Sequence, residues 1–187
     1  MHETAEEIKE FKKMVGISAR TASPQLKQEL GLPDKKLNGE QILRHLQGLH
    51  TFTLAVATSS GSPQITLAKA IVYRGKFYVP SATNALRTRY LMHESRVSMA
   101  KHRDDDITLI INGRATILKP GSEDAAELEE FRIVEEIHRM YSNEVPSETK
   151  NGCYIRVTPF TLCGAAQDPK SYPNFADRRK TSAATTT

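Results

Sequence analysis

The chain contains no tryptophan, and its other large aromatics are limited to 6 Phe and 6 Tyr. Proteins that hold single-stranded nucleic acid stack bases on aromatic side chains, so this scarcity argues against such a platform. Cysteine occurs only at Cys153 and Cys163. These two lack the paired spacing of a zinc or redox site, and two cysteines make no disulfide framework. They read as ordinary thiols in a reducing compartment. No run approaches the ~18 uninterrupted apolar residues of a membrane helix. The segment from Met1 to Lys13 is charged rather than apolar, so no secretory signal is expected there. These absences together lead to the expectation of a cytoplasmic protein that engages no membrane.

A dominant charge is lacking too, since 26 Lys and Arg against 22 Asp and Glu leave only +4. A pI of about 9.1 helps to attract phosphates but falls short of a dedicated nucleic-acid binder. There is no nucleophile elbow, phosphate-binding P-loop or dinucleotide fingerprint. The histidines His2, His45, His50, His93, His102 and His138 form no metal-ligand pattern. Hydrolase, kinase and metal chemistry therefore find no support. What is present is a globular balance, 39% apolar and 26% charged over 187 residues, which fits one domain with a tail.

The chain divides by pattern into a helical preface (1–49), a β-rich domain (50–165) and a C-terminal tail (166–187). In the preface, Ile8, Phe11, Met14 and Val15 recur at helical spacing, and Ile42, Leu43, Leu46 and Leu49 repeat that stripe after Asn38. Pro24 and Pro33 punctuate it. From Thr51 to Thr58 the residues alternate with period two, as a strand does. A Ser-Ser-Gly-Ser-Pro turn leads to a second strand over 64–73, and Arg74-Gly75 to a third over 76–79. A short helix over 85–94 and strands over 96–100 and 107–118 follow, with the acidic turn Asp104-Asp105-Asp106 between those strands. A helix entered near Ser122 carries Leu128, Phe131, Val134, Ile137 and Tyr141 on one face. A last strand over 152–158 is closed by Pro159, and the stretch from Lys170 lacks the apolar residues to order itself. The fold class expected is α+β and mainly β, a small six-stranded barrel or sandwich.

Two features could carry chemistry. Lys69 is the only charged side chain between Thr51 and Tyr73. A lysine is almost never buried without a partner, so either its strand reaches solvent or it meets an anion or electron-rich ligand. The second feature is the stretch from Ser81 to Arg89, where hydroxyls and an amide follow a strand and two arginines open a helix. Free N–H groups and the helix dipole favour a phosphate there, while helix capping explains the same composition. The basic run Arg96, Lys101, His102 and Arg103 reads as a solvated turn balanced by the aspartates after it.

The succession of these pieces resembles the pyridoxamine 5'-phosphate oxidase-like, FMN-binding split-barrel superfamily over about residues 40 to 165. The residues that carry the resemblance are the 52–58 strand, Gln64-Ile65-Thr66-Leu67-Ala68-Lys69, Gly75-Lys76-Phe77-Tyr78, Arg87, Arg96-Val97-Ser98 and Gly113-Arg114-Ala115. It implies a six-stranded antiparallel split β-barrel, a homodimer with flavin in the groove between subunits, and an oxidoreductase acting on a small molecule. By the same resemblance, Lys69 contacts the flavin, Thr66 and Leu67 line its ring, Ser81 and Arg87 hold its phosphate, and Thr108 lies beside the isoalloxazine. Ala85 and Leu86 stand where the oxidase has a hydroxyl and an arginine, which leaves Thr83 or Arg89 to substitute. The tail over 171–175 is also unlike the oxidase's substrate-binding C-terminus, so the vitamin B6 enzyme itself is not expected. FMN is the expected cofactor, with a deazaflavin coenzyme or FAD as alternatives. A non-catalytic flavin or haem carrier, and a small RNA-binding β-barrel, are the competing classes. No catalytic acid or base can be named, since many flavin reductions need none.

Overall fold

The computed structural model describes residues 3–103 and 106–174. Asp104 and Asp105 of the acidic turn, and the tail beyond Asn174, lie outside the described residues. Three helices come first: α1 (Ala5–Thr21), α2 (Pro24–Leu30) and α3 (Gly39–His45). Strands β1 (His50–Ala57), β2 (Pro63–Tyr73) and β3 (Lys76–Ala82) follow, then α4 (Leu86–His93), β4 (Arg96–Arg103), β5 (Ile107–Leu118), α5 (Ala125–Arg139) and β6 (Gly152–Ala166). The strands close into an antiparallel barrel in the order β1-β2-β3-β6-β5-β4. The fold is α+β and mainly β, with a helical preface and one late helix.

Local sequence explains the helix starts. Thr4 and Glu7 form a reciprocal capping box on α1, and Asn38 with Gln41 does the same on α3. Pro24 occupies the first turn of α2 behind the Ser23 cap, a position where a proline costs no hydrogen bond. The α1 stripe buries Phe11 and Val15, with Ile8 and Met14 packed against the same core. Ser18 pins α1 to the barrel by accepting the N–H of Leu162 on β6 at 3.0 Å.

Strand alternation then builds the interior. Phe52, Leu54 and Val56 of β1 point inward, and Phe52 meets Phe77 of β3 edge to face at 5.6 Å. The β2–β3 turn places Arg74 at φ 52° and Gly75 at φ 69°, the double positive φ that a tight hairpin requires. A second cluster on the outer face joins Ile71, Tyr73, Tyr78, Leu118 and Tyr154 to Phe131, Val134 and Ile137 of α5.

Three expectations need correction. Proline 159 does not end the last strand, which runs on to Ala166. Gly113 pairs with Pro159 and Asn112 with Thr161, so Phe160 is left unopposed in a bulge that accommodates the proline. Gly113 permits this approach, because a Cβ there would lie 2.7 Å from the Thr158 oxygen. The segment after β6 is also docked as far as Asn174. Gln41 donates to the carbonyls of Pro169 at 2.8 Å and Tyr172 at 2.6 Å, and Arg44 to that of Asn174 at 2.8 Å. Finally, Tyr141 is 50% exposed, and His138 takes the buried place on α5. No helix among the described residues is long and apolar enough to cross a membrane.

Candidate functional site

The barrel is closed unevenly. β5 and β6 pair at 12 positions, whereas β2 and β3 pair only at Ile71, Val72 and Tyr73, opposite Tyr78, Phe77 and Lys76. Residues 63–70 of β2 hold β1 on one edge and have no β3 partner on the other. Pro80 helps to explain the parting, because it has no N–H to give a ladder. Its carbonyl accepts instead from Arg87 Nη2 at 2.9 Å.

Around that opening the side chains form one cluster. Arg87 Nε donates to Ser81 Oγ at 3.0 Å, and Ser81 Oγ lies 2.9 Å from Thr88 Oγ1. Cys153, which pairs with Ser81 across β3 and β6, is buried beneath them. Burial pulls the Arg87 guanidinium below its usual range, with Cys153 opposing, and no carboxylate among the described residues pairs with it. Burial likewise pushes the Cys153 thiol up, against the opposing pull of Thr88 and Arg87, so it is a poor nucleophile. Ala85 caps α4 with no side-chain hydrogen bond, so Ser81 and Thr83 are not capping residues here.

The other expected site residues divide between two faces of β2. Thr66 points inward with Gln64, and Thr66 Oγ1 and Gln64 Oε1 are both buried without a hydrogen-bond partner. Ile65, Leu67 and Lys69 point outward, and Ile65 and Leu67 are 67% and 73% exposed. Lys69 therefore reaches solvent and belongs to no ion pair among the described residues. Lys69 and Ser81 stand two and three residues beyond the last β2–β3 pair, about 7 Å and 10 Å along their strands. Thr83 gives its backbone N–H to the Asn151 carbonyl at 2.8 Å, and Arg89 is exposed on α4. Thr108 is not brought to this cluster. It bonds to His102 Nδ1 at 2.9 Å, and the strand order puts it three strands from Lys69, about 14 Å away.

Gln64, Thr88 and Cys153 join the site without having been named as site residues, although Gln64 and Thr88 lie within stretches the sequence drew out. The parity of Gln64 with Thr66 on β2 and the hydroxyl of Thr88 beside Arg87 point to the first two, and Cys153 has no such signal. A separate groove of about 350 Å³ lies on the outer face between Ala55, Pro63, Ser98, Asn112 and Phe160. It is floored by a polar chain in which Ser98 donates to Asn112 at 2.7 Å and Asn112 to Thr161 at 3.1 Å.

No family model matches the chain, and no curated protein matches it. Solved structures do. An F420 reductase is 17% identical and superposes with a TM-score of 0.50 over 67% of this chain and 96% of its own. A conserved hypothetical protein of Mycobacterium tuberculosis is 16% identical, with a TM-score of 0.60 over 76% of this chain and 93% of that one. General stress protein 26 of Bacillus anthracis is 17% identical, with a TM-score of 0.51 over 67% and 92%. This chain has their fold. At such identities the likeness extends to the fold alone.

Proposed function

We propose that this chain binds FMN in the opening between β2 and β3 and uses it as an oxidoreductase on a small molecule. The observation that carries this reading is Arg87, a desolvated guanidinium held by Ser81 and Pro80 at the mouth of an unpaired seam, with no carboxylate partner among the described residues. A half-buried cation without an anion is costly unless a ligand supplies one, and arginine holds phosphate through paired donors. The uncapped start of α4 offers backbone N–H groups to the same anion. Thr83 and Arg89 flank it.

The polar atoms of Thr66 and Gln64, buried without partners, fit the edge of a heterocycle. Lys69 and Leu67 face outward from the same strand, and a gap between two strands is where one ligand can meet both faces. When bound, FMN would supply hydride transfer. This chain's residues would bind its phosphate, orient its ring and, through Lys69, favour negative charge on the ring. A second reading is a deazaflavin coenzyme in the same opening, since Ala85 and Leu86 depart from the hydroxyl and arginine with which the oxidase holds its FMN phosphate. A second copy of the chain completes the site in this proposal. Ile65 and Leu67 are exposed beside the small residues Thr53, Ala55 and Ala100 of their rows, and such a patch calls for a cover. Thr108 can serve the ring only from that second copy.

The test is Arg87→Ala with FMN and riboflavin titrated in parallel. A charge-assisted bond of ~1.5–3 kcal/mol corresponds to an FMN affinity lower by about tenfold to a hundredfold. Riboflavin, which has no phosphate, should bind both proteins alike. Arg87 also makes two internal hydrogen bonds, so the ligand-free variant should lose about 1–2 kcal/mol of stability. Unchanged FMN binding, or an equal loss for riboflavin, would refute the phosphate assignment.

A further inference from the structure

The preface builds a recess of its own, away from the coenzyme opening. A groove of about 300 Å³ lies between the end of α1, α2 and the turn after it, lined by Ala19, Arg20, Lys27, Leu32, Pro33 and Lys36. Its floor is apolar. Ala19 is buried, and Leu32 packs with Ala22 and Leu26 over Leu30, Cys163 and Ala165.

The rim is cationic and carries no acid. Lys27 Nζ is fixed at the mouth by donating to the Arg20 carbonyl at 2.7 Å, while Arg20 and Lys36 are exposed. None of the three forms an ion pair among the described residues, whereas Lys9 and Lys12 of α1 pair with Glu6 and Glu40. Cations near the ends of α1 and α2 also complement the helix dipoles. That accounts for Arg20 and Lys27, but Lys36 lies on no helix.

We propose that this groove binds a free medium-chain acyl carboxylate, with the chain along the floor and the carboxylate among Lys27, Lys36 and Arg20. The volume is at the small end of ligand sites. Apolar contact and one charge are both needed, since neither a bare anion nor an uncharged chain satisfies floor and rim together. The inference does not depend on the coenzyme reading.

The experiment titrates the full chain with decanoate, hexanoate and decanol, following displacement of a fluorescent fatty-acid analogue. Decanoate should saturate below about 1 mM. Hexanoate should be weaker by two- to fourfold per methylene lost, and decanol by at least about tenfold. The double variant Arg20→Glu, Lys36→Glu should weaken decanoate at least about tenfold, lower the melting temperature by no more than a few degrees through the lost dipole contact of Arg20, and leave FMN affinity unchanged. The proposal is overturned if decanoate does not saturate, if decanol binds as well, or if the double variant binds like the wild type. Sedimentation with phosphatidylglycerol vesicles, without decanoate binding, would also overturn it in favour of a lipid surface.

Discussion

The two seams that flank β3 and β6 are built on opposite principles. Along β5–β6, 12 residue pairs run without a gap except the bulge at Gly113, and Ile155, Val157 and Leu162 behind them are fully buried. Along β2–β3, three pairs suffice, a proline interrupts the edge, and an arginine satisfies the carbonyl that a strand would otherwise take. One seam is paired along its whole length and apolar on its inward side, and among its side chains only Arg156 keeps a buried nitrogen, Nε, without a partner among the described residues. The other leaves Thr66 and Gln64 with unmet polar atoms and Arg87 with unmet charge. Stability is concentrated on the first, and binding capacity is left on the second, because a group already satisfied by the protein has little to offer a ligand.

The largest effect should come from the closed seam. Ile155→Ala removes a side chain with no solvent exposure, between Val79 and Ile117. It should cost ~2–5 kcal/mol and lower the melting temperature by roughly 5–15 °C. A loss below about 1 kcal/mol would mean that the seam does not anchor the barrel.

At the open seam the sign should reverse. Thr66→Val replaces a buried hydroxyl that has no partner by a methyl group of the same shape. Urea unfolding should show a gain of about 1 kcal/mol, together with weaker FMN binding. If the variant is less stable, the hydroxyl is already satisfied and the two seams do not differ in polar satisfaction at this residue.

The smallest effect concerns α5, which covers the outer side of β3 and β6. His138 is buried, and its Nδ1 lies 2.8 Å from the Tyr154 hydroxyl. Burial holds its imidazole below the usual histidine range, with Glu135 opposing and Lys69 adding to the depression. The unfolded chain therefore binds the proton more readily than the folded one. The contribution is complete above the unfolded pKa of ~6.5 and is lost as the pH falls through the lower folded value. His138→Gln should flatten the fall in urea midpoint between neutral pH and about pH 5. Parallel curves for variant and wild type would show that His138 is not the titrating group.

Much of the barrel was legible because its signals are local. The inward alternation of Phe52, Leu54 and Val56, the Arg74-Gly75 turn and the Ile42, Leu43 and Leu46 stripe each declare themselves within a few residues. The extension of β6 past Pro159 was not legible. A proline in an apolar run reads as a stop, and only Gly113, 46 positions upstream, provides the bulge that lets the strand continue. The docked segment to Asn174 was hidden for a related reason, since it is held by side chains of α3 and by a single residue of its own, Tyr172, packed on the core, and neither makes a local pattern.

The site shows the same division. Sequence alone singled out Lys69 and the stretch from Ser81 to Arg89, because an isolated charge in an apolar strand and a hydroxyl-rich turn before arginines are visible in one dimension. It also determined the period-two strands and the helical preface, which follow from the spacing of apolar residues. Only the tertiary structure decided that β2 parts from β3 after Ile71, that Arg87 bonds back to Pro80 and Ser81, and that Thr66 faces inward while Lys69 faces out. It also placed Thr108 three strands away. Pairing partners, strand parity at an open edge and distance around a barrel depend on contacts between residues far apart in the chain, and no local pattern encodes them.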